Sequence, residues 1–393
     1  MKIALVHDWL NGLRGGERCL QAFLSIYPQA DIFTLLHHPG TTTEEIDARV
    51  KMTSFLQRIP GSKSHYRQFL PLYPAAVKRF DLRGYDIIIS LSHAAAKNVV
   101  VPDGTLHICY CFTPMRYIWD QAEAYFGWKK KILWPVVERL RSWDLEGSES
   151  VHQFVGISKF IAARIQCFYS RDSEVIYPPV DTSWINERVA AREIHSRPGE
   201  AFLCAGALVP YKRADAVIEA FNRLGEELWV AGTGPCEGEL RRKAGPNIKF
   251  LGYLSDAELA ECYRRCRALV FAGTEDFGMM PIECMAAGRP VIALHGGGLK
   301  ESIEGIKPWA PYEVDMANAT GVCIRRSDNN LADSIIESVE LFMRREDQFS
   351  ERVCKRRAAL FGPDRFFNDW GRLARHYGID AARAEELTTG VYA

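Results

Sequence analysis

Net charge is the first thing this chain lacks. Its 49 basic side chains are balanced by 49 acidic ones across 393 residues, which argues against the broad basic footprint of a nucleic-acid-binding protein. No apolar run approaches the ~20 residues that a membrane-spanning helix needs. The opening Met1-Lys-Ile-Ala-Leu-Val turns polar too soon for a signal peptide. The eleven cysteines include no C-x-x-C pair; Cys109 and Cys111 are one residue apart, and Cys262 and Cys266 fit one helix face. That scatter argues against a disulfide frame or a zinc site and points to reduced thiols in a cytosolic chain. No Asp-x-Asp stands at a strand end to hold a metal, and there is no low-complexity tract or short-period repeat. What remains is 47% apolar and 25% charged, ordinary for a globular protein and long enough for two domains.

What is there is an alternation. A strand is expected over residues 2–7, then a loop with Gly12, Gly15 and Gly16, then a helix from about Glu17. The plan restarts with a strand at 201–206, a loop from Ala207 to Arg213 and a helix from Ala214 to Leu224. Strands at 227–231, 248–251, 268–272 and 290–294 then alternate with helices at 237–243, 256–266 and 281–287. Such alternation implies a parallel sheet, and two such starts predict an α/β protein with two Rossmann-like domains. Strands at 85–90, 107–111 and 150–156 belong to the first half. The boundary is expected at Tyr177-Pro-Pro-Val-Asp181, where prolines impose an extended turn. The domains are then 1–180 and 181–363, with an aromatic helical C-terminus over 364–393 (Phe366, Phe367, Trp370, Tyr377) packing back on the first.

The strongest local signal is Glu275-Asp-Phe-Gly-Met-Met-Pro-Ile-Glu283. Glu275 falls at the carboxyl end of a strand, where open α/β sheets bind ligands. Glu283 falls in the first turn of the next helix, whose start offers free N–H groups to a phosphate. Pro281 suits the first helical position. A helix-cap anion and a solvated glutamate are the plainer reading, but the flanking strand and Phe277-Gly278 favour a ligand. Gly296-Gly-Gly298 with Glu301 follows the next strand and closes the same pocket.

Other positions carry two readings each. Gly15-Gly16-Glu17 is either a phosphate approach or a tight turn. Lys212 suits a diphosphate; Arg213 either joins it or forms a salt bridge elsewhere. Val230-Ala-Gly-Thr-Gly-Pro235 lacks the third glycine of a dinucleotide fingerprint, so a nucleotide-touching loop and a simple turn both stand. His93, at a strand end, is a structural histidine or a proton donor. Asp8 holds a substrate hydroxyl or caps the next turn. Arg116 contacts an anionic acceptor or forms a structural salt bridge. The basic and aromatic run from Tyr125 to Trp143 suits a membrane interface or an amphipathic helix with a solvated basic face.

Taken together these residues resemble glycosyltransferase family 4, of the GT-B fold, over nearly the full length. The resemblance is carried by Gly15-Gly16-Glu17, Ile157-Ser-Lys159, Tyr177-Pro-Pro-Val-Asp181, Pro210-Tyr-Lys-Arg213, Gly232-Thr-Gly-Pro235 and Glu275-x7-Glu283. Ser90-Leu-Ser-His93-Ala-Ala-Ala-Lys97 and Cys109-Tyr-Cys-Phe-Thr-Pro-Met-Arg-Tyr117 look like the O-antigen mannosyltransferase branch, which uses GDP-mannose and lipid-linked oligosaccharide acceptors. The resemblance implies two domains facing across a cleft. It implies a retaining, metal-independent hexosyl transfer, without a cofactor, in polysaccharide or lipopolysaccharide O-antigen biosynthesis. It also implies a cytoplasmic protein in peripheral contact with the inner membrane.

The same resemblance assigns roles. Glu283 would bind the ribose hydroxyls and Glu275 would face the donor sugar. The backbone of Gly278, Met279 and Met280, in a loop with Phe277 and Pro281, would hold sugar and diphosphate. Lys212, with Arg213 beside it, would neutralise the diphosphate, and Gly15 and Gly16 would approach it from the opposite domain. The backbone around Tyr253 and Leu254 would meet the base. His93 would lie beside the donor sugar, with Asp8 and Arg116 toward the acceptor. One departure stands out: Ala207 occupies a position where the family usually carries an arginine. That departure keeps alive a weakly active or non-catalytic sugar-nucleotide binder, and a nucleotide-sugar epimerase of the same fold is a further alternative.

Overall fold

A computed structural model of the chain describes residues 1–120, 130–186, 199, 201–310, 315–327, 330–380 and 382–388. The chain divides into two compact units, Met1–Pro179 with Asp364–Ala393, and Val180–Pro363.

The first unit is built on seven strands: β1 (Ile3–Leu10), β2 (Asp31–His37), β3 (Val50–Thr53), β4 (Ile87–Ser92), β5 (Leu106–Cys111), β6 (Gln153–Gly156) and β7 (Ser173–Val175). Their order is β3-β2-β1-β4-β5-β6-β7 and every pairing is parallel. All residues of β1 and β4 are buried, as expected of parallel strands covered on both faces. Helix Gly15–Ile26 buries Leu20, Phe23 and Leu24, and Phe23 meets Tyr110 of β5 edge-on at 5.4 Å. Helix Pro363–His376, near the C-terminus, joins this unit through its aromatic face. Trp370 lies 4.5 Å from Phe23, and its Nε1 donates to the Tyr27 hydroxyl at 2.9 Å.

Two expectations need correction here. β1 continues to Leu10, so Asp8 lies inside the strand. Gly15 and Gly16 are the first two residues of a helix and not part of the preceding loop. Of the basic and aromatic run, residues 121–129 lie outside the described residues. In helix Lys130–Glu149, Trp143 packs on the core, while Trp134 is exposed beneath the Arg141 guanidinium at 4.9 Å. Among the described residues, no helix is long and apolar enough to cross a membrane.

The second unit holds β8 (Phe202–Ala205), β9 (Leu228–Ala231), β10 (Ile248–Gly252), β11 (Leu269–Phe271), β12 (Val291–Leu294), β13 (Gly305–Ile306) and β14 (Gly321–Ile324). The order is β10-β9-β8-β11-β12-β14-β13, again all parallel. Phe202 of β8 packs against Phe221 of helix Ala214–Leu224 at 5.2 Å and Phe342 of helix Leu331–Arg344 at 5.8 Å. The helix after β11 runs Met279–Ala286, two residues earlier than expected. Pro281 is therefore its third residue, still among the positions whose N–H has no intrahelical partner. Glu283 falls in the second turn and not the first.

Candidate functional site

Strand order reverses between β1 and β4 in the first unit and between β8 and β11 in the second, whose far edge, β14-β13, turns back once more. The crevice outside the carboxyl ends at such a point is where open α/β sheets hold ligands.

In the second unit, the segment after β8 makes a short turn at Pro210–Lys212, and the segment after β11 leads to helix Met279–Ala286. These two segments meet through charge. Lys212 Nζ lies 2.7 Å from Glu275 Oε1, with the side chains 20% and 22% exposed. Burial works to lower the ammonium pKa, but the charge and hydrogen bond of Glu275 outweigh it and hold Lys212 above its ordinary value. The ammonium also lies over the Phe271 ring at 5.2 Å. The result is a charged, partly covered pair at the reversal point, beside a helix start.

The loop is built for close approach. Gly278 has φ 91°, and a Cβ there would stand 2.4 Å from Leu299 Cδ2; only glycine adopts this without strain. Gly297 has φ 60°, and a Cβ there would stand 2.2 Å from the Glu275 carbonyl oxygen. The next amide, Gly298 N–H, donates to that oxygen at 2.9 Å. The triple glycine thus clamps the backbone that carries Glu275. Met280 reaches back toward β8, its sulfur 3.5 Å from where a Cβ on Gly206 would stand. Glu283 lies one helical turn beyond Met279 on the same face. It is 7% exposed and accepts a hydrogen bond from the Tyr263 hydroxyl at 3.0 Å.

Other expected members of this site stand apart from it. Arg213 is turned to Asp215 at 3.2 Å, both exposed, so it pairs locally and does not extend the charge of Lys212. The Phe277 ring is buried against Phe361 at 5.7 Å, so the side chain anchors the loop from within and presents no surface to a ligand. Tyr253 is 82% exposed and Leu254 half-buried, just beyond β10, two strands from β8. The glycines of Gly232-Thr-Gly-Pro235 support the loop after β8, where Leu208 N–H donates to Thr233 O at 2.9 Å. Ala207 is exposed at the carboxyl end of β8.

In the first unit, Asp8 is fully buried and saturated. One oxygen accepts from the backbone N–H of His93 (2.7 Å) and Ala94 (2.9 Å), the other from Ala95 (2.6 Å) and Ala96 (2.8 Å). His93 Nδ1 adds a contact at 3.1 Å. Asp8 therefore caps the turn after β4, and the expectation that it meets an acceptor directly is corrected: its lone pairs are already spent. What it does is orient His93. The His93 ring stands perpendicular to Trp9 at 4.4 Å, with Phe112 at 6.2 Å. Burial lowers its pKa, Asp8 opposes this, and the charges of Arg67, Arg116 and Arg14 lower it further. A neutral ring donates from Nδ1 to Asp8 and leaves Nε2 as the acceptor.

Behind it, buried His7 sits 3.0 Å from the Trp9 carbonyl through Nδ1. Its Nε2 lies 3.3 Å from where a Cβ on Gly16 would stand. Burial first, then the nearby His93, push His7 down to about 4. Gly15 and Gly16 form the first turn of their helix beside this pair of histidines. Arg116, half-buried, follows β5.

Sequence reasoning missed Tyr263, Trp9 and His7. Trp9 and His7 flank Asp8 near a strand end, which was a readable signal. Nothing local marks Tyr263 as the partner of a glutamate twenty residues away.

Residues 199–340 match the family model of the glycosyl transferases group 1. This span is a glycosyl transferase group 1 domain. It contains β8 to β14 with Lys212, Glu275 and Glu283. An uncharacterized glycosyltransferase of Methanocaldococcus jannaschii is 30% identical over 156 residues, 38% of this chain and 42% of that protein. O-antigen chain mannosyltransferase C of Escherichia coli is 32% identical over 103 residues, 24% of this chain and 28% of that protein. A GDP-mannose-dependent monoacylated alpha-(1-6)-phosphatidylinositol monomannoside mannosyltransferase of Corynebacterium glutamicum is 29% identical over 161 residues, 36% and 38% of the two chains. The matches span less than half the length of each of these curated relatives.

Solved structures extend the likeness beyond the group 1 domain. Sucrose-phosphate synthase of Thermosynechococcus elongatus superposes with a TM-score of 0.71 over 96% of this chain and 99% of that one, at 17% identity. HepE of Anabaena, solved in complex with UDP, gives 0.63 over 93% and 96%, at 16% identity. At such identities the likeness is one of fold: two parallel seven-stranded sheets with helices, as in the GT-B glycosyltransferases.

Proposed function

We propose that this protein is a retaining glycosyltransferase that moves a hexose, mannose from GDP-mannose, to a lipid-linked saccharide acceptor. The observation that carries the reading is the Lys212–Glu275 pair at 2.7 Å, set at the strand reversal beside the start of helix Met279–Ala286. An ammonium and a helix start together favour a diphosphate. When a sugar nucleotide enters, Lys212 exchanges Glu275 for the diphosphate, and Glu275 turns to the sugar hydroxyls. Glu283, its carboxylate held by Tyr263, takes the ribose hydroxyls.

The chemistry follows from these roles. The bond between the anomeric carbon and the diphosphate oxygen breaks, and the nucleoside diphosphate keeps the electron pair. Lys212 and the helix start stabilise that charge as it develops. The acceptor hydroxyl forms the new glycosidic bond, and its proton passes to the departing phosphate oxygen. His93, oriented by Asp8, keeps the role that the family resemblance implies for it, beside the donor sugar. The donor is argued by the relatives named for mannosyl transfer, one of them GDP-mannose-dependent. UDP, found in the HepE complex, is the competing nucleotide.

Ala207 favours a second reading, a sugar-nucleotide binder with little turnover, because the arginine that the family usually carries there is replaced and Lys212 is already paired with Glu275. One assay separates the readings: GDP-[14C]mannose with a lipid acceptor extract, and UDP-[14C]glucose in parallel. Label moving to lipid supports transfer. A changed free sugar nucleotide without acceptor supports epimerisation. Tight GDP binding with neither outcome supports a binder.

A further inference from the structure

In the first unit a buried polar network surrounds Asp144, of helix Lys130–Glu149, and the chemistry described above uses none of it. Asp144 Oδ1 faces Lys97 Nζ at 3.0 Å and accepts from Asn98 Nδ2 at 3.1 Å. Oδ2 accepts from Trp119 Nε1 and from the Tyr169 hydroxyl, each at 2.8 Å. Lys97 Nζ also donates to the Asp144 carbonyl and to Asn98 Oδ1, each at 2.5 Å, and lies over the Tyr169 ring at 4.6 Å. Lys97, Asn98, Asp144 and Tyr169 are buried and Trp119 is half-buried. A Cβ on Gly147 would overlap Asn98 Oδ1, so the helix carries a glycine in its interior to admit that amide.

All three donors of the ammonium are used, and each carboxylate oxygen meets two partners. A buried ion pair contributes little stability beyond that of apolar side chains of the same volume, so stability alone does not account for this one. A fully satisfied network supplies a fixed geometry instead. Two of its arms reach loops at the carboxyl edge of the sheet. Lys97 and Asn98 end the turn that begins at His93, and Lys97 N–H donates to Ser92 Oγ at 3.3 Å. Trp119 lies in the segment after β5, whose Phe112 ring stands 6.2 Å from the His93 ring. Arg141 of the same helix grips that segment again, its Nε donating to the Ile118 carbonyl at 2.7 Å. The third arm, Tyr169, belongs to helix Lys159–Tyr169 and to neither loop. The turn from His93 to Asn98 is thus held at both ends, by Asp8 at its start and by Asp144 at its end.

We propose that Lys97 and Asp144 are positioning residues: they lock the turn after β4 and the segment after β5 to one helix, and so fix where the His93 ring stands against Phe112. The proposal rests on the glycosyl-transfer reading for what that fixed ring serves. Small displacements of a group beside a reacting centre are costly in rate, which gives a buried charge pair at this place a use that an apolar pair would not have.

The test compares three variants of the full chain, Lys97→Met, Trp119→Phe and Tyr169→Phe, each removing one donor to the same carboxylate. Urea unfolding measures what each costs in stability. Nitrogen-15 labelling of the histidines, with His93 assigned through His93→Gln, reads the His93 ring without any substrate. Rates with GDP-mannose or UDP-glucose and a lipid acceptor extract give kcat and the donor KM. Lys97→Met and Trp119→Phe are expected to move the His93 ring signals away from a single Nδ1–H tautomer. They lower kcat about tenfold or more and leave the donor KM within about twofold. Tyr169→Phe loses comparable stability and leaves both the His93 signals and kcat as in the parent. Should Lys97→Met not fold, Trp119→Phe against Tyr169→Phe carries the comparison. His93 signals or a kcat that stay unchanged in the loop variants overturn the proposal, as does a kcat that falls in Tyr169→Phe as far as in the other two. Moved His93 signals in a chain whose parent transfers neither sugar support the positioning and sink the transfer reading; transfer by a parent whose loop variants keep kcat and the His93 signals does the reverse.

Discussion

Lys212 and Glu275 form an ion pair at 2.7 Å across the β8–β11 junction, where the second sheet reverses its strand order. The pair is a latch that the donor must open, since the same ammonium cannot serve Glu275 and a diphosphate in full. Lys212→Ala is expected to lower kcat about 100-fold or more, the scale for removing one preorganised electrostatic contact. Glu275→Gln frees Lys212 and should tighten GDP binding while slowing transfer. Calorimetry with GDP beside steady-state rates checks both; weaker GDP binding in Glu275→Gln would contradict the latch.

Asp8 holds the turn that carries His93. Asp8→Ala leaves four backbone amides of residues 93–96 without their acceptor. Each hydrogen bond to a charged group contributes roughly 1.5–3 kcal/mol, so urea unfolding should show a loss of about 3 kcal/mol or more. A variant as stable as the parent would mean that solvent replaces Asp8 at no cost.

Acid should destabilise this protein before its carboxylates titrate. Burial pushes His7 down to about 4 and His107 down to about 3, from an ordinary 6.5. Between those values and 6.5 the unfolded chain binds protons that the folded chain refuses. Stability is therefore full above pH 6.5 and falls as pH drops toward 4. For His7 the loss is on the order of 3 kcal/mol. Chemical denaturation at pH 7.5 and pH 5.0 captures about 2 kcal/mol of it, and an unchanged midpoint would count against the buried neutral state.

Gly297 touches the Glu275 carbonyl too closely for any side chain. Gly297→Val should misplace the loop, lowering affinity for GDP by about tenfold or more and costing stability through strain at positive φ. The same substitution at Gly40, which also has positive φ but open space around it, separates strain from contact. If both variants bind GDP alike, the clamp is not what shapes the site.

Much of the fold is legible because β8, β9, β11 and β12 are short apolar runs bounded by glycine, proline or polar residues. β13, of two residues, and β7, of three, are too short for any periodicity to reveal. β2, Asp-Ile-Phe-Thr-Leu-Leu-His, is an apolar run that pattern alone does not separate from a buried helix. Of the candidate site, the Glu275 loop was readable from its flanking elements. The helix start was misjudged because Gly278, in the left-handed region, allows the chain to turn into helix at Met279. Asp8 and His93 were each singled out, but their mutual bond spans 85 positions of sequence and has no local mark. Arg213 was left between a ligand and a salt bridge, and the partner it has is Asp215, two residues on.

The central claim is that the second unit's Glu275 and Glu283 hold a sugar nucleotide for transfer. The most direct measurement is the rate of label transfer from GDP-[14C]mannose to a lipid-linked acceptor by the parent chain, Glu275→Ala and Glu283→Ala, each first shown to be folded. The account predicts transfer by the parent, a fall of about 100-fold or more in Glu275→Ala, and a donor KM raised about tenfold or more in Glu283→Ala. Transfer that survives intact in both variants would contradict it.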